Sequence, residues 1–134
     1  QCDFDGADPA VGRQVSLKTA LHEVSPYITR DGSEIRELLH PSQHGVRNQS
    51  LAEAVIPPGT ATLLHRHRTS EEIYHVTQGK GLMTLGGETF AIAVGDSIAI
   101  TPGMPHRVEN TGTGALHILC CCAPAYAHAD TELL

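Results

Sequence analysis

The sequence predicts an all-β domain, a sandwich or barrel built from short strands. Three observations predict it. Apolar residues alternate with polar ones in short runs, the runs recur about every 8–12 residues, and turns rich in Gly or Pro separate them. At 134 residues the chain is expected to form one domain, 1–134, because a length prior of roughly 150 residues per domain leaves no room for a second.

The elements follow in order. Runs at 27–30 and 34–39 flank Asp31-Gly32, a pair suited to a two-residue hairpin turn. A third run, 49–56, stops at Pro57-Pro58-Gly59, and the next two are 61–67 and 72–78. Gly86-Gly87 turns the run 81–85 into 88–94, and Gly95-Asp96 turns that into 97–101. After Pro102-Gly103-Met104-Pro105 come 106–109, the loop from Asn110 to Gly114, and 115–122. The one helix candidate, 16–23, has poor apolar periodicity. Residues 1–25 and 124–134 lack regular signals and are expected to be peripheral arms that wrap the barrel or touch a partner chain.

Bulk composition excludes several function classes. Lys and Arg number 9 against 15 Asp and Glu, a formal net charge of −6, and the scattered Arg residues form no basic stripe, so no nucleic-acid partner is expected. No apolar run approaches the ~20 residues of a spanning helix, so no membrane partner is expected. The start at Gln1 shows no basic segment followed by an apolar one, so no signal peptide is expected. Cys2 stands alone while Cys120, Cys121 and Cys122 are consecutive, which is not the spacing of a disulfide framework. Reduced thiols and a cytoplasmic location are the expectation. The unusual count is 9 His, an excess of imidazole without an excess of basic charge.

Strand periodicity explains part of that excess. Residues two apart share a face, so His65 and His67 can grip one ion together. Glu72 opens the next run after a short bend, and His106 opens a later one after a Pro/Gly loop. Three imidazoles and one carboxylate make a mixed N/O site for Fe, Mn, Co, Ni, Cu or Zn rather than Mg or Ca.

The spacing of these residues resembles the cupin superfamily. One motif reads Gly59, five residues, His65-Arg66-His67, four residues, Glu72, six residues, Gly79, spanning 59–79. A second reads Gly95, five residues, Thr101-Pro102-Gly103, two residues, His106, three residues, Asn110, spanning 95–110, with Thr101 where the family pattern has Pro. The resemblance implies a double-stranded β-helix, or jelly-roll barrel, and a divalent metal bound by His65, His67, Glu72 and His106. It also implies that the motif glycines and Asn110 shape the turns. Glu72 is preferred over Glu71 because only Glu72 is followed by six residues and then Gly79.

Other candidates are weighed on their strand parity. Tyr74 shares the inward parity of Glu72 and either offers its hydroxyl to a ligand or is a core tyrosine. Glu53 is a carboxylate in an apolar run, either a pocket acid/base or an outward charge. His117 is a candidate for a supporting or pocket role, with Leu119 and Cys121 on its face, and His75 is expected on the outer face. Cys120, Cys121 and Cys122 alternate faces, cannot converge on one ion, and read as small core residues. Arg66, Arg68 and Arg107 flank the ligands and read as solvated. The function expected is a metal-dependent enzyme acting on a small polar organic molecule at the barrel mouth, with dioxygenase chemistry favoured because four ligands leave an octahedral ion two open positions. The alternatives are an isomerase, lyase or cyclase of the cupin type, or a non-catalytic metal- or ligand-binding protein. A homodimer is expected, through the hairpin at 27–39 with its apolar Ile35, Leu38 and Leu39.

Overall fold

Alternating runs become strands because their apolar sides have one place to go, the space between two sheets. The computed structural model describes residues 17–134. In chain order the strands are β1 (Tyr27–Ile28), β2 (Glu34–Leu39), β3 (Ser50–Ile56), β4 (His65–His67), β5 (Glu71–Gln78), β6 (Lys80–Leu85), β7 (Glu88–Ala93), β8 (Ser97–Ile100), β9 (His106–Asn110), β10 (Leu116–Ala123) and β11 (Thr131–Leu133). They form a six-stranded sheet in the order β1-β2-β3-β10-β5-β8 and a five-stranded sheet in the order β11-β4-β9-β6-β7. Every pairing is antiparallel. Consecutive strands β4 and β5, and again β5 and β6, lie in different sheets, as a double-stranded β-helix requires.

Between β5 and β6 only Gly79 intervenes. Its φ is +85°, and a Cβ there would stand 2.7 Å from the Ala115 carbonyl oxygen, so both conformation and space demand glycine. The core between the sheets is made by the inward residues, with Val76, Met83, Val108, Leu116 and Ile118 fully enclosed. Each such side chain contributes roughly 1.5–3 kcal/mol through burial.

Most expected runs appear as strands whose ends differ by a residue or two, but four regions differ in substance. The run at 61–67 keeps regular pairing only at His65–His67, plus an isolated bridge from Ala61 to Glu109. Its backbone bonds go elsewhere: the Thr62 amide donates to Val108 O at 2.9 Å and the Leu63 amide to Asp31 O at 2.8 Å. The helix candidate at 16–23 shows only an exposed, uncapped 3-10 turn at Leu21–Glu23, consistent with its lack of an apolar stripe; Cys2 and the rest of 1–16 lie outside the described residues. The chain after 124, with no strand signal of its own, supplies β11, which pairs residue for residue with β4. Asp130 secures that tail by accepting bonds from the Thr69 amide and hydroxyl at 2.9 and 2.8 Å. In the hairpin at 27–39, Ile35 points into the core rather than outward to a partner, since it faces Ala54 across β3.

Candidate metal centre

Three histidines meet between the sheets. His65 and His67 start and end β4, His106 starts β9, and the register places His65 directly opposite His106. All three are buried, and the ring centroids of His65 and His106 are 4.2 Å apart. Each Nδ1 already has a partner: Leu63 O at 2.8 Å for His65, Met104 O at 2.9 Å for His106, and Thr131 Oγ1 at 3.1 Å for His67. Carbonyls only accept, so His65 and His106 carry their proton on Nδ1. The Thr131 hydroxyl donates to Ala127 O at 3.0 Å, which leaves its oxygen to accept from His67 in the same way. The lone pairs of the three Nε2 atoms therefore face one another, with the possible ligand atoms all within 4.8 Å.

Glu72 faces two of these imidazoles. Its Oε1 lies 3.1 Å from His67 Nε2 and 3.5 Å from His106 Nε2, while its other oxygen accepts from the Cys122 thiol at 3.3 Å. Cys122 is the cross-strand partner of Glu72 on β10, and burial, then the Glu72 charge, pushes its pKa up, so it stays a thiol donor. Glu72 Oε1 and His106 Nε2 are nevertheless buried without a hydrogen-bond partner. Lone pairs and a carboxylate do not converge in a buried space unless a cation sits among them. Burial works to raise the Glu72 carboxyl pKa, but the His106 and His67 imidazoles prevail and hold it down at about 2. Burial, then the neighbouring His106, pushes His65 below its usual value. Three neutral imidazoles and one ionised carboxylate with unpartnered donor atoms fit a divalent transition metal, and the tethered Nδ1 atoms are the outer contacts such a site needs.

Asp31 is a further acidic group that sequence reasoning saw only as a turn residue. Its Oδ1 accepts from the Ser33 amide at 3.0 Å and the Ser33 hydroxyl at 2.6 Å. That closes the turn and leaves Oδ2 standing 3.6 Å from His65 Nε2. An Asp before Gly is the ordinary signature of a hairpin turn, and nothing local reveals that this turn brings Asp31 beside the histidine cluster.

With the site assembled, similarity to known proteins decides the family. The Cupin domain family matches residues 52–122. The chain is a cupin. An uncharacterized protein of Methanocaldococcus jannaschii is 55% identical over 88% of this chain and 94% of its own length. The tetracenomycin polyketide synthase protein TcmJ of Streptomyces glaucescens is 28% identical over 87% of this cupin and 81% of its own length. Among solved structures, one from Thermotoga maritima described as a predicted oxalate decarboxylase superposes with a TM-score of 0.70 at 26% identity, covering 78% of this chain and 96% of that one.

The remaining candidates separate by face. Tyr74 points inward and lines the cavity, its ring edge-on to His106 at 5.8 Å. Burial, then the Glu72 charge, pushes its hydroxyl pKa up, so it is a neutral phenol. Glu53 and His117 do not reach the cavity. They pair with each other at 3.1 Å, on the far side of the larger sheet, because Ala52, Ala54 and Ile118 take the inward positions beside them. Cys120 and Cys122 face inward, whereas Cys121 is not among the residues lining the cavity. Arg66 is tied to Glu132 at 2.7 Å. Besides His65, His67 and Glu72, the cupin's cavity is lined by Tyr27, Asp31, Glu37 and Tyr126 among others. The empty space, mouth included, is ≈ 580 Å³, of which ≈ 40 Å³ can take the centre of a water molecule. No helix of the described residues is long and apolar enough to cross a membrane.

Proposed function

We propose that this cupin is a metal-dependent enzyme in which His65, His67, Glu72 and His106 hold one divalent Fe, Mn, Co, Ni, Cu or Zn ion beside a small polar organic substrate. The convergence of unpartnered Glu72 Oε1 and His106 Nε2 carries this reading. Such an ion supplies Lewis acidity toward a bound oxygen atom, or oxygen chemistry if it is iron. The chain's own residues supply the rest. Thr131, Met104 and Leu63 orient the imidazoles, Cys122 orients Glu72, and Asp31 Oδ2 is placed to accept a proton from substrate near His65.

Asp31 alters the balance among reaction classes. The sequence favours a dioxygenase because four ligands leave an octahedral ion two open positions, and no acid/base pair stands out in it for isomerase or lyase chemistry. A buried carboxylate beside the metal ligands supports proton-transfer chemistry, that of an isomerase, lyase or cyclase, and we place that class first. The dioxygenase remains the second reading, supported by the two positions that four ligands leave on an octahedral ion. Elemental analysis of protein purified without chelator is expected to find one ion per chain, and turnover without O₂ uptake favours the first class. Absence of every one of these metals overturns the reading, and metal without any turnover makes this a binding protein. The reduced thiols Cys120, Cys121 and Cys122 fit a cytoplasmic location. A homodimer is expected against the outer face of the larger sheet, where exposed Ile73 lies among half-buried Leu51, Val55 and Leu119. Light scattering that returns the 14.3 kDa monomer overturns it.

A further inference from the structure

The cavity beside the metal ligands has an unusual chemical lining. The β1–β2 hairpin forms one wall and contributes Tyr27, Asp31, Ser33, Ile35 and Glu37. Two carboxylates on that wall keep an acceptor atom free. Asp31, nine-tenths buried, spends only Oδ1 on Ser33. Glu37 accepts the Tyr27 hydroxyl on Oε2 at 3.0 Å and leaves Oε1 buried without a partner. Burial, then the Glu37 charge, pushes the Tyr27 hydroxyl pKa up, so Tyr27 is the donor in that bond and Glu37 the acceptor. No Lys or Arg is among the described residues that line the cavity.

We infer that the cavity selects an uncharged, hydroxyl-bearing molecule about the size of a single ring, with Asp31 Oδ2 and Glu37 Oε1 accepting its hydroxyl hydrogens, over a small dicarboxylate. The inference deepens the proposed function and rests on this cavity being the substrate site.

Charge and shape argue for it. With Glu72, the two wall carboxylates make three negative groups, one more than a divalent ion offsets. A dianion would add two further charges beside that excess, in a cavity whose described lining has no Lys or Arg to receive them, where like charges repel strongly. A hydroxyl group instead gives each free acceptor the donor it lacks, and a hydrogen bond to a charged acceptor is worth more than one to a neutral one. Ala52, Ala54 and Ile118 give an apolar surface for the body of a ring. Room for the centres of only a few waters, at about 10–15 Å³ each, limits the deep part of the ligand to roughly one ring. The similarity to a structure described as a predicted oxalate decarboxylase makes the contrast informative, because oxalate is the ligand this wall should refuse.

The test is calorimetric titration of resorcinol and of oxalate into metal-free and metal-loaded protein, with Asp31→Asn and Glu37→Gln alongside. Resorcinol is uncharged and cannot chelate one ion through both oxygens, so its binding reads the wall. The expected result is that wild type binds resorcinol more tightly than oxalate in both forms. Each substitution should weaken resorcinol about tenfold, the difference between a charged and a neutral acceptor, and strengthen oxalate. Equal or tighter oxalate binding by wild type, no resorcinol binding, or variants that bind resorcinol as wild type does, each overturns the inference. Glu37 is only half-buried, so Glu37→Gln decides the matter if Asp31→Asn does not fold. Failure of the protein to take up metal refutes the metal reading separately, and the metal-free titration then still decides this one.

Discussion

A histidine meets a carboxylate at 3.1 Å twice, once on the outer face of the larger sheet and once between the two sheets, and the two arrangements behave oppositely. On the outer face, His117 Nδ1 meets Glu53 Oε2 directly, and the hydrogen bond is made. Between the sheets, His67 Nε2 meets Glu72 Oε1 at the same distance, yet Oε1 is left without a partner. The difference lies in which ring nitrogen is already occupied. Inside, every Nδ1 hydrogen is committed to Leu63 O, Met104 O or Thr131 Oγ1, so lone pairs are what remain for the carboxylate. A histidine and a glutamate in contact are therefore a closed pair or an open coordination set according to their outer contacts, not their identity.

Removing one member of each set should break this symmetry most sharply. His106→Ala is expected to abolish metal retention, at least about a hundredfold in affinity, by elemental analysis and competitive chelation, while His117→Ala keeps wild-type metal content. Equal losses in the two variants would make the comparison meaningless. Acid should separate the faces next. Folding lowers the Glu72 pKa from 4.5 to about 2, so its contribution to stability is present above 4.5 and disappears as pH falls from there toward 2. His65 is also held below 6.5. The unfolded chain therefore takes up a proton that the folded one refuses, and metal-free stability should already decline as pH drops below 6.5. Urea midpoints across that range check both signs, and a stability that rises on acidification refutes them.

A smaller effect is expected from the outer contacts of the inner set. Cys122→Ala frees Glu72 Oε2 and should weaken metal binding about tenfold, with Cys122→Ser restoring most of it because a hydroxyl also donates. The smallest change is expected from Glu53→Gln. It should leave metal affinity alone and cost about 1 kcal/mol of stability, read as a shift of the thermal midpoint.

How much of this was legible beforehand depended on whether a residue's role is local in sequence. His65, His67, Glu72 and His106 could be read from spacing, because β-strand parity and turn glycines act over a few positions. Tyr74 could be placed inward by parity, but parity alone left the face of Glu53 undecided, since Glu53 sits in a run that is buried on both sides. Asp31, Cys122 and Thr131 were invisible for another reason. Cys122 meets Glu72 only through the register of β10 on β5, and Thr131 meets His67 only because β11 lies along β4. Such pairings are set by long-range topology, and the residue types involved have ordinary roles in turns, cores and tails that hide them.

The strand β4 holds two of the three imidazoles on three residues and is flanked on one side by β11 alone. The Leu134 amide donates to Leu64 O at 3.0 Å at the end of that pairing. An ion clamping His65 and His67 must therefore also still β11, which lies along both through its pairing and adds Thr131 to the cavity lining. Deuterium uptake at the β11 amides should slow when metal is added and recover on chelation, so the last strand of the described chain reports occupancy of the site without any substrate being known.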